Sequence, residues 1–427
     1  MNQYLKNLPT AALFLLFLTI PLSKGLASIA FGVWAGTTLI YKRGWQSALF
    51  RYWWQLGLAV LFCWLGITIA YSTDWMTGFN VCYKHIALLA IPILAIQCRY
   101  EIARYYKQML TVFVVAVLVN CGLTFVFNFI EPSLALKIDS WLPGLLPHTP
   151  PEELYSYKFG AYSPFMARVQ LSNLISVGAL VAAFLWLKRY YRWFFLPSFL
   201  LLLLYSISFG GRAGQLGFMA GMTVFSISVL VFYRNGSGKT PTWVMMGRWL
   251  VPIVVLLVSV LFYNGYEPLQ KRYQQLFWEI DLYQSGEYKE YDYVNFTSVR
   301  RIIAWQNHWQ IIKEYPLLGV GIGDYHHKLD AIYESDEHNL PVNSHNQYLS
   351  FWLFGGIVAL CLFMGALFCW LYGLWYTESY VFIFGLSFLT IYGVVFLFDT
   401  PLLFQVDVFI FGLFFGFITF CRDILDD

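Results

Sequence analysis

SHNQYLSFWLFGGIVALCLFMGALFCWLYGLW, Ser344–Trp375, is the stretch whose reading decides the fold. It opens on a polar histidine–asparagine pair. From Gln347 to Thr377 it then carries no Asp, Glu, Lys or Arg. About 20 apolar residues in a helix cross the hydrocarbon core of a bilayer. The span read here, 346–375, is ample. A polar loop therefore turns at His345–Asn346 into a membrane helix.

The pattern repeats outward. Apolar runs occur at roughly 8–22, 25–41, 52–71, 80–97, 108–130, 168–187, 193–210, 212–233, 248–264, 346–375, 379–398 and 402–421. The chain is 59% hydrophobic and 12% charged over 427 residues. A soluble domain carries about 25% charged residues. The expected fold class is all-α: a polytopic membrane protein of about twelve transmembrane helices. Ala11–Leu22 has no small-residue cleavage site and is read as the first span rather than a signal peptide.

Basic residues fix the expected orientation. Lys42, Arg43 and Arg51 share one loop, and Arg99, Arg104 and Lys107 the next alternate one. Lys188, Arg189 and Arg192 follow, then Arg234, Lys239 and Arg248. The positive-inside rule puts these loops and both termini in the cytoplasm. Two long segments then fall outside: Glu131 to Ala167, which is Pro-rich, and Gly265 to Ser344. The division is helices one to nine over 1–264, an outer, partly helical loop over 265–345, and the last three helices over 346–427. Loops this long are usually functional. The second begins YEPLQKRYQQLFWEIDLY, an amphipathic helix lying on the membrane or packed on the mouth of the bundle.

Net charge is +3, so bulk charge implies no polyanion partner and no nucleic acid. The seven cysteines lie in or beside spans, with no CxxC pattern and no disulfide framework expected. His326, His327, His338 and His345 share the long loop with Asp324, Asp330, Asp336 and Glu337, yet without regular metal-ligand spacing. GVGIG, Gly319–Gly323, follows a helix and a proline rather than a strand and reads as a turn.

Candidate chemistry gathers at the outer side. A helix is expected after Ser298, capped by Thr297 or Ser298 and ended by Pro316. Helical spacing puts Arg301, Trp305, His308 and Ile312 on one face and Arg300, Ala304 and Ile311 on the next. Either arginine can pair with Glu279, Asp281 or Glu314, or present a planar fork to phosphate oxygens. Arg212 lies in SISFGGRAGQLGFMAG between two spans, and Arg168 opens the sixth from the outer side. Several arginines facing one outer cavity suit a lipid-linked pyrophosphate. His345 precedes an apolar helix, and a helix N-terminus disfavours imidazolium, which would help keep the ring a neutral base. The tyrosines of EYKEYDYVNF can stack on sugar faces or simply pack at the surface.

These residues carry a resemblance. The chain resembles the bacterial O-antigen ligase and O-antigen polymerase superfamily of membrane glycosyltransferases. Arg301-x-x-x-Trp305 followed by PLLGVGIGDY is similar to one family signature. His345-Asn346-Gln347-Tyr348-Leu349 is similar to its HN-x-x-L signature. Gly211-Arg212-Ala213-Gly214 is similar to its Ser-Arg-Gly turn, with glycine where the family has serine. The likeness covers about 205–420. It implies that Arg212 and Arg301 hold the pyrophosphate of an undecaprenyl-diphosphate glycan and that His345 orients or deprotonates the acceptor hydroxyl, with inversion. It implies neither a nucleotide sugar nor a metal. Arg300, Arg168, Trp305, Asn346 and His308 are the accompanying substrate-binding candidates. The expected partners are the lipid-linked donor, membrane lipids, and lipid A–core for a ligase or another glycan for a polymerase. A protein-directed glycosyltransferase or a lipid-glycan transporter are the other readings.

Overall fold

The computed structural model describes residues 7–41, 45–130, 163, 165–209, 211–232, 264–265, 267–290, 296–333 and 343–422. The expected span 248–264 up to its last residue, most of the Pro-rich segment, Tyr291, Tyr293, His338, Asp336, Glu337, Lys42, Arg43, Arg234, Lys239 and Arg248 lie outside these residues.

The described chain is all-α. In order it runs α1 (Leu8–Thr19), α2 (Lys24–Tyr41), α3 (Trp45–Arg51), α4 (Gly57–Thr68), α5 (Trp75–Gln97) and α6 (Arg99–Phe125). Next come α7 (Arg168–Leu187), α8 (Arg192–Phe209), α9 (Arg212–Phe232), α10 (Glu267–Ser285), α11 (Thr297–Glu314) and α12 (Tyr325–Tyr333). It ends with α13 (Gln347–Trp375), α14 (Ser379–Phe398) and α15 (Gln405–Phe417). Seven helices among the described residues are long and apolar enough to cross a membrane, and α1, α8 and α15 are shorter apolar ones. The chain is thus a polytopic helical membrane protein.

α7 is the axis of the bundle and packs against α6, α8, α9 and α14. Its Ser172, Asn173 and Ser176 are fully buried. Without a hydrophobic drive in lipid, helices associate through small residues that let backbones approach. Gly214 of α9 lies directly against Ser172, and Gly217 and Gly221 lie against Ile391 of α14. A β-carbon at any of the three would overlap its neighbour.

Three local expectations are corrected. The basic loop at Arg99–Lys107 is helical, because α6 starts at Arg99 rather than at 108. Its long side chains reach water from a helix end, so no loop is needed. Phe296 precedes α11 without a side-chain cap, in place of Thr297 or Ser298. The span 346–375 is not continuous: Gly355 and Gly356 leave helical geometry, with Gly356 at φ +70°.

The break in α13 receives the glycine turn. Val320 N–H donates to Leu353 O at 2.9 Å, and Gly321 N–H to Phe354 O at 3.1 Å. Trp64 Nε1 donates to Gly355 O at 2.9 Å. Ile357 N–H donates to Pro316 O at 2.9 Å. Irregular backbone inside a membrane protein survives only when its polar groups are paired, and here the turn pairs them. Gly319 and Gly321 stand at φ +69° and +89°, so the run is a turn as expected. Its far side is tied to the α4–α5 connection: Asp324 accepts from the N–H groups of Thr73 and Asp74, each at 2.8 Å.

Candidate active site at one end of the bundle

Four helix ends meet where the polar residues gather. Arg212 is the first residue of α9, Thr297 the first of α11, Asp399 follows α14, and His345 precedes α13. Arg212 donates to the hydroxyls of Thr297 and Ser298. Arg301 lies one helical turn beyond Thr297, a rise of about 6 Å. The two guanidinium groups are near enough to repel.

Burial lowers the Arg301 pKa from the ordinary arginine value; Asp399 opposes this, Arg212 adds to it and Glu279 opposes it. Glu279 of α10 is fully buried. It accepts from Ser298 N–H at 2.6 Å and from Gln275 Nε2 at 2.8 Å. Glu279 thus exerts an electrostatic influence on Arg301, without an ion pair between the two among the described residues. This influence accompanies that of Arg212 rather than replacing it.

His345 Nδ1 lies 3.4 Å from Asp399 Oδ1. The same oxygen accepts from Thr400 N–H at 2.8 Å, which fixes the carboxylate. His345 sits in the left-handed region at φ +44°. A non-glycine residue held there costs of order 1–3 kcal/mol and persists only where its surroundings enforce it. Ser344 does so: its hydroxyl bonds Asn346 O at 2.8 Å and meets Ser350 Oγ at 2.6 Å. Asn346 caps α13 through Leu349 N–H at 3.1 Å and donates to Leu397 O at 3.2 Å. Both polar ends of Asn346 are thus engaged by protein, and the arrangement docks His345 on the end of α14.

His308 is buried behind this pair and bonds Ala304 O through Nδ1 at 2.7 Å. Burial pushes its pKa down to about 4, with a further push from His345. It is neutral at pH 7. Trp305 has its indole N–H buried without an acceptor among the described residues. Arg300 is half-buried on α11. Arg168 opens α7 beside the Arg212 turn, since Val169 lies 3.9 Å from the β-carbon position of Gly211. Tyr288 stacks on Tyr283 at 5.3 Å, which is packing within the chain.

Sequence reasoning missed Asp399 and Asp407. Asp407 is fully buried on α15, takes a hydrogen bond from Asn173 Nδ2 at 3.0 Å and lies near Asp399. The signal was available: an acidic residue within or ending an apolar run is costly and marks a functional site by default.

The fold and this cluster define a helical membrane protein with a charged, histidine-bearing cluster at one end of the bundle. Residues 210–364 match the family model described as O-antigen ligase. Over that segment, less than half of the chain, the sequence is similar to the O-antigen ligase family, which supports a ligase- or polymerase-type function in general. The match includes Arg212, Arg301 and His345; Asp399 and Arg168 lie beyond its limits. Comparison with curated proteins gives no match.

Proposed function

We propose that the chain transfers a glycan from undecaprenyl diphosphate to a sugar hydroxyl of lipid A–core, as a metal-independent, inverting O-antigen ligase. The observation that supports this is the convergence of Arg212, Arg301 and the His345–Asp399 pair from helices α9, α11, α13 and α14 at one end of the bundle. Two guanidinium groups that bear on each other electrostatically favour an anion beside them. A planar fork of donors fits diphosphate oxygens.

In this reading His345 donates Nδ1–H to Asp399 and presents Nε2 to the acceptor. The acceptor oxygen attacks the anomeric carbon while its proton passes to Nε2. The bond from that carbon to the diphosphate oxygen breaks, and undecaprenyl diphosphate departs. Negative charge grows on the leaving group, so fixed arginine donors stabilise the transition state more than the ground state. Neutral His308 adds no competing positive charge beside His345. The pocket faces the periplasm of a Gram-negative inner membrane, with both termini cytoplasmic.

The test is glycan transfer in purified membranes, with an undecaprenyl-diphosphate glycan and separate lipid A–core and glycan-repeat acceptors. Product on lipid A–core, lost in His345→Ala and Arg301→Ala, supports the ligase. Longer lipid-linked chains instead make it a polymerase. Full activity in both variants removes the proposed site.

A further inference from the structure

The end of the bundle opposite His345 holds a second convergence. Arg51 ends α3, Arg99 starts α6, and Arg422 follows the short 3-10 turn after α15. All three bear electrostatically on the hydroxyl of Tyr100. The Arg99 guanidinium stands 4.4 Å from the centroid of the Tyr100 ring. Packing sets the junction: Tyr52, beside Arg51, meets Phe420 edge-on at 5.1 Å. Cys98, beside Arg99, lies 3.6 Å from the Thr38 hydroxyl.

The Tyr52–Phe420 contact brings the chain at Arg51 and at Arg422 together, and Arg99 lies over the neighbouring Tyr100 ring. Among the described residues, no carboxylate lies within ion-pair distance of any of them. The site also lies at the ends of apolar helices. Phe50, Trp53 and Tyr100 are 82%, 54% and 65% exposed beside it. Exposed aromatic rings at the ends of membrane helices sit at the headgroup level. From Tyr100 an exposed stripe runs down α6 through Arg104, Gln108, Val115 and Val119, at helical spacing. It passes from charged to apolar along its length.

We propose that Arg51, Arg99 and Arg422 form a binding site for the phosphate of an anionic phospholipid in the leaflet at this end, with an acyl chain lying along the exposed stripe of α6. The site is separate from the candidate active site and does not rest on the reaction proposed there. Guanidinium groups match phosphate oxygens bidentately. Basic pockets between membrane helices take anionic headgroups by this chemistry. The apolar stripe selects a lipid over a soluble phosphate.

The experiment is native mass spectrometry of the purified full chain, offered phosphatidylglycerol and phosphatidylcholine in equal amounts. Phosphatidylglycerol is expected to be retained preferentially. Arg422→Gln, at an exposed position, should lower that retention about fivefold. The triple variant R51Q/R99Q/R422Q should reduce it to the phosphatidylcholine level. Lys24→Gln, at the other end of α2, should leave it unchanged. A monodisperse Arg422→Gln protein that retains phosphatidylglycerol as the parent does would overturn the proposal. So would an equal loss in Lys24→Gln. Loss of the preference in millimolar inorganic phosphate would also overturn it, by making the site one for a soluble anion.

Discussion

His345 and Asp399, 54 residues apart in the chain, meet at 3.4 Å between ring nitrogen and carboxylate. The contact joins the start of one helix to the end of the next. It engages Nδ1 and leaves Nε2 to the side away from Asp399; in the reaction proposed above that nitrogen would take the acceptor proton.

Removal of the base should show in turnover. A positioned general base contributes about 10²- to 10⁴-fold. His345→Ala should lower kcat by that order with a smaller change in donor KM. Single-turnover transfer with saturating donor checks it; a loss confined to KM would argue for a binding role.

Asp399→Asn tests the partner. Loss of a charge-assisted hydrogen bond costs about 1.5–3 kcal/mol, or ten- to more than a hundredfold in rate. Donor KM should change less than kcat, because the variant alters the orientation of His345 rather than the diphosphate contacts. An unchanged kcat at reduced protein yield would indicate a purely structural aspartate.

Arg212→Lys separates charge from geometry. Lysine keeps the charge but cannot reach two hydroxyls and a diphosphate as a planar fork. Transfer should fall at least about tenfold while the protein stays folded. Retained transfer would show that point charge is enough.

His308 gives a stability prediction with a definite sign. Its folded pKa of about 4 lies below the unfolded value near 6.5. The unfolded chain therefore binds a proton first as pH falls. The contribution is complete above about pH 6.5 and is lost progressively down to about pH 4. It amounts to about 3 kcal/mol. Chemical denaturation in detergent across this range, compared with His308→Gln, should show that slope flattened in the variant.

Gly356→Ala should destabilise the break in α13. Gly356 has φ +70°, and an added β-carbon would lie 1.9 Å from Leu317 O. Strain and displacement of the turn together should cost at least about 2 kcal/mol, read as a lower Tm. Gly365→Ala, where nothing lies within 4 Å, is the control.

Hydropathy placed most of the helices, because membrane spans must be long, apolar and internally hydrogen-bonded whatever their neighbours are. It failed at Gly355–Gly356, since a paired double glycine and a strained one look alike until a partner backbone is seen. Arg212, Arg301 and His345 stood out as rare polar residues at span boundaries. Asp399 stood at such a boundary too, but its meaning lies in the histidine it meets. By itself the sequence determined an all-α membrane protein and most of the ingredients of one site, because composition and period act locally. Only the tertiary structure decided that four helix ends meet, that Asp399 and Glu279 bear electrostatically on Arg301, and that the glycine turn fills the break in α13. Those are relations between residues dozens to hundreds of positions apart, and packing alone sets them.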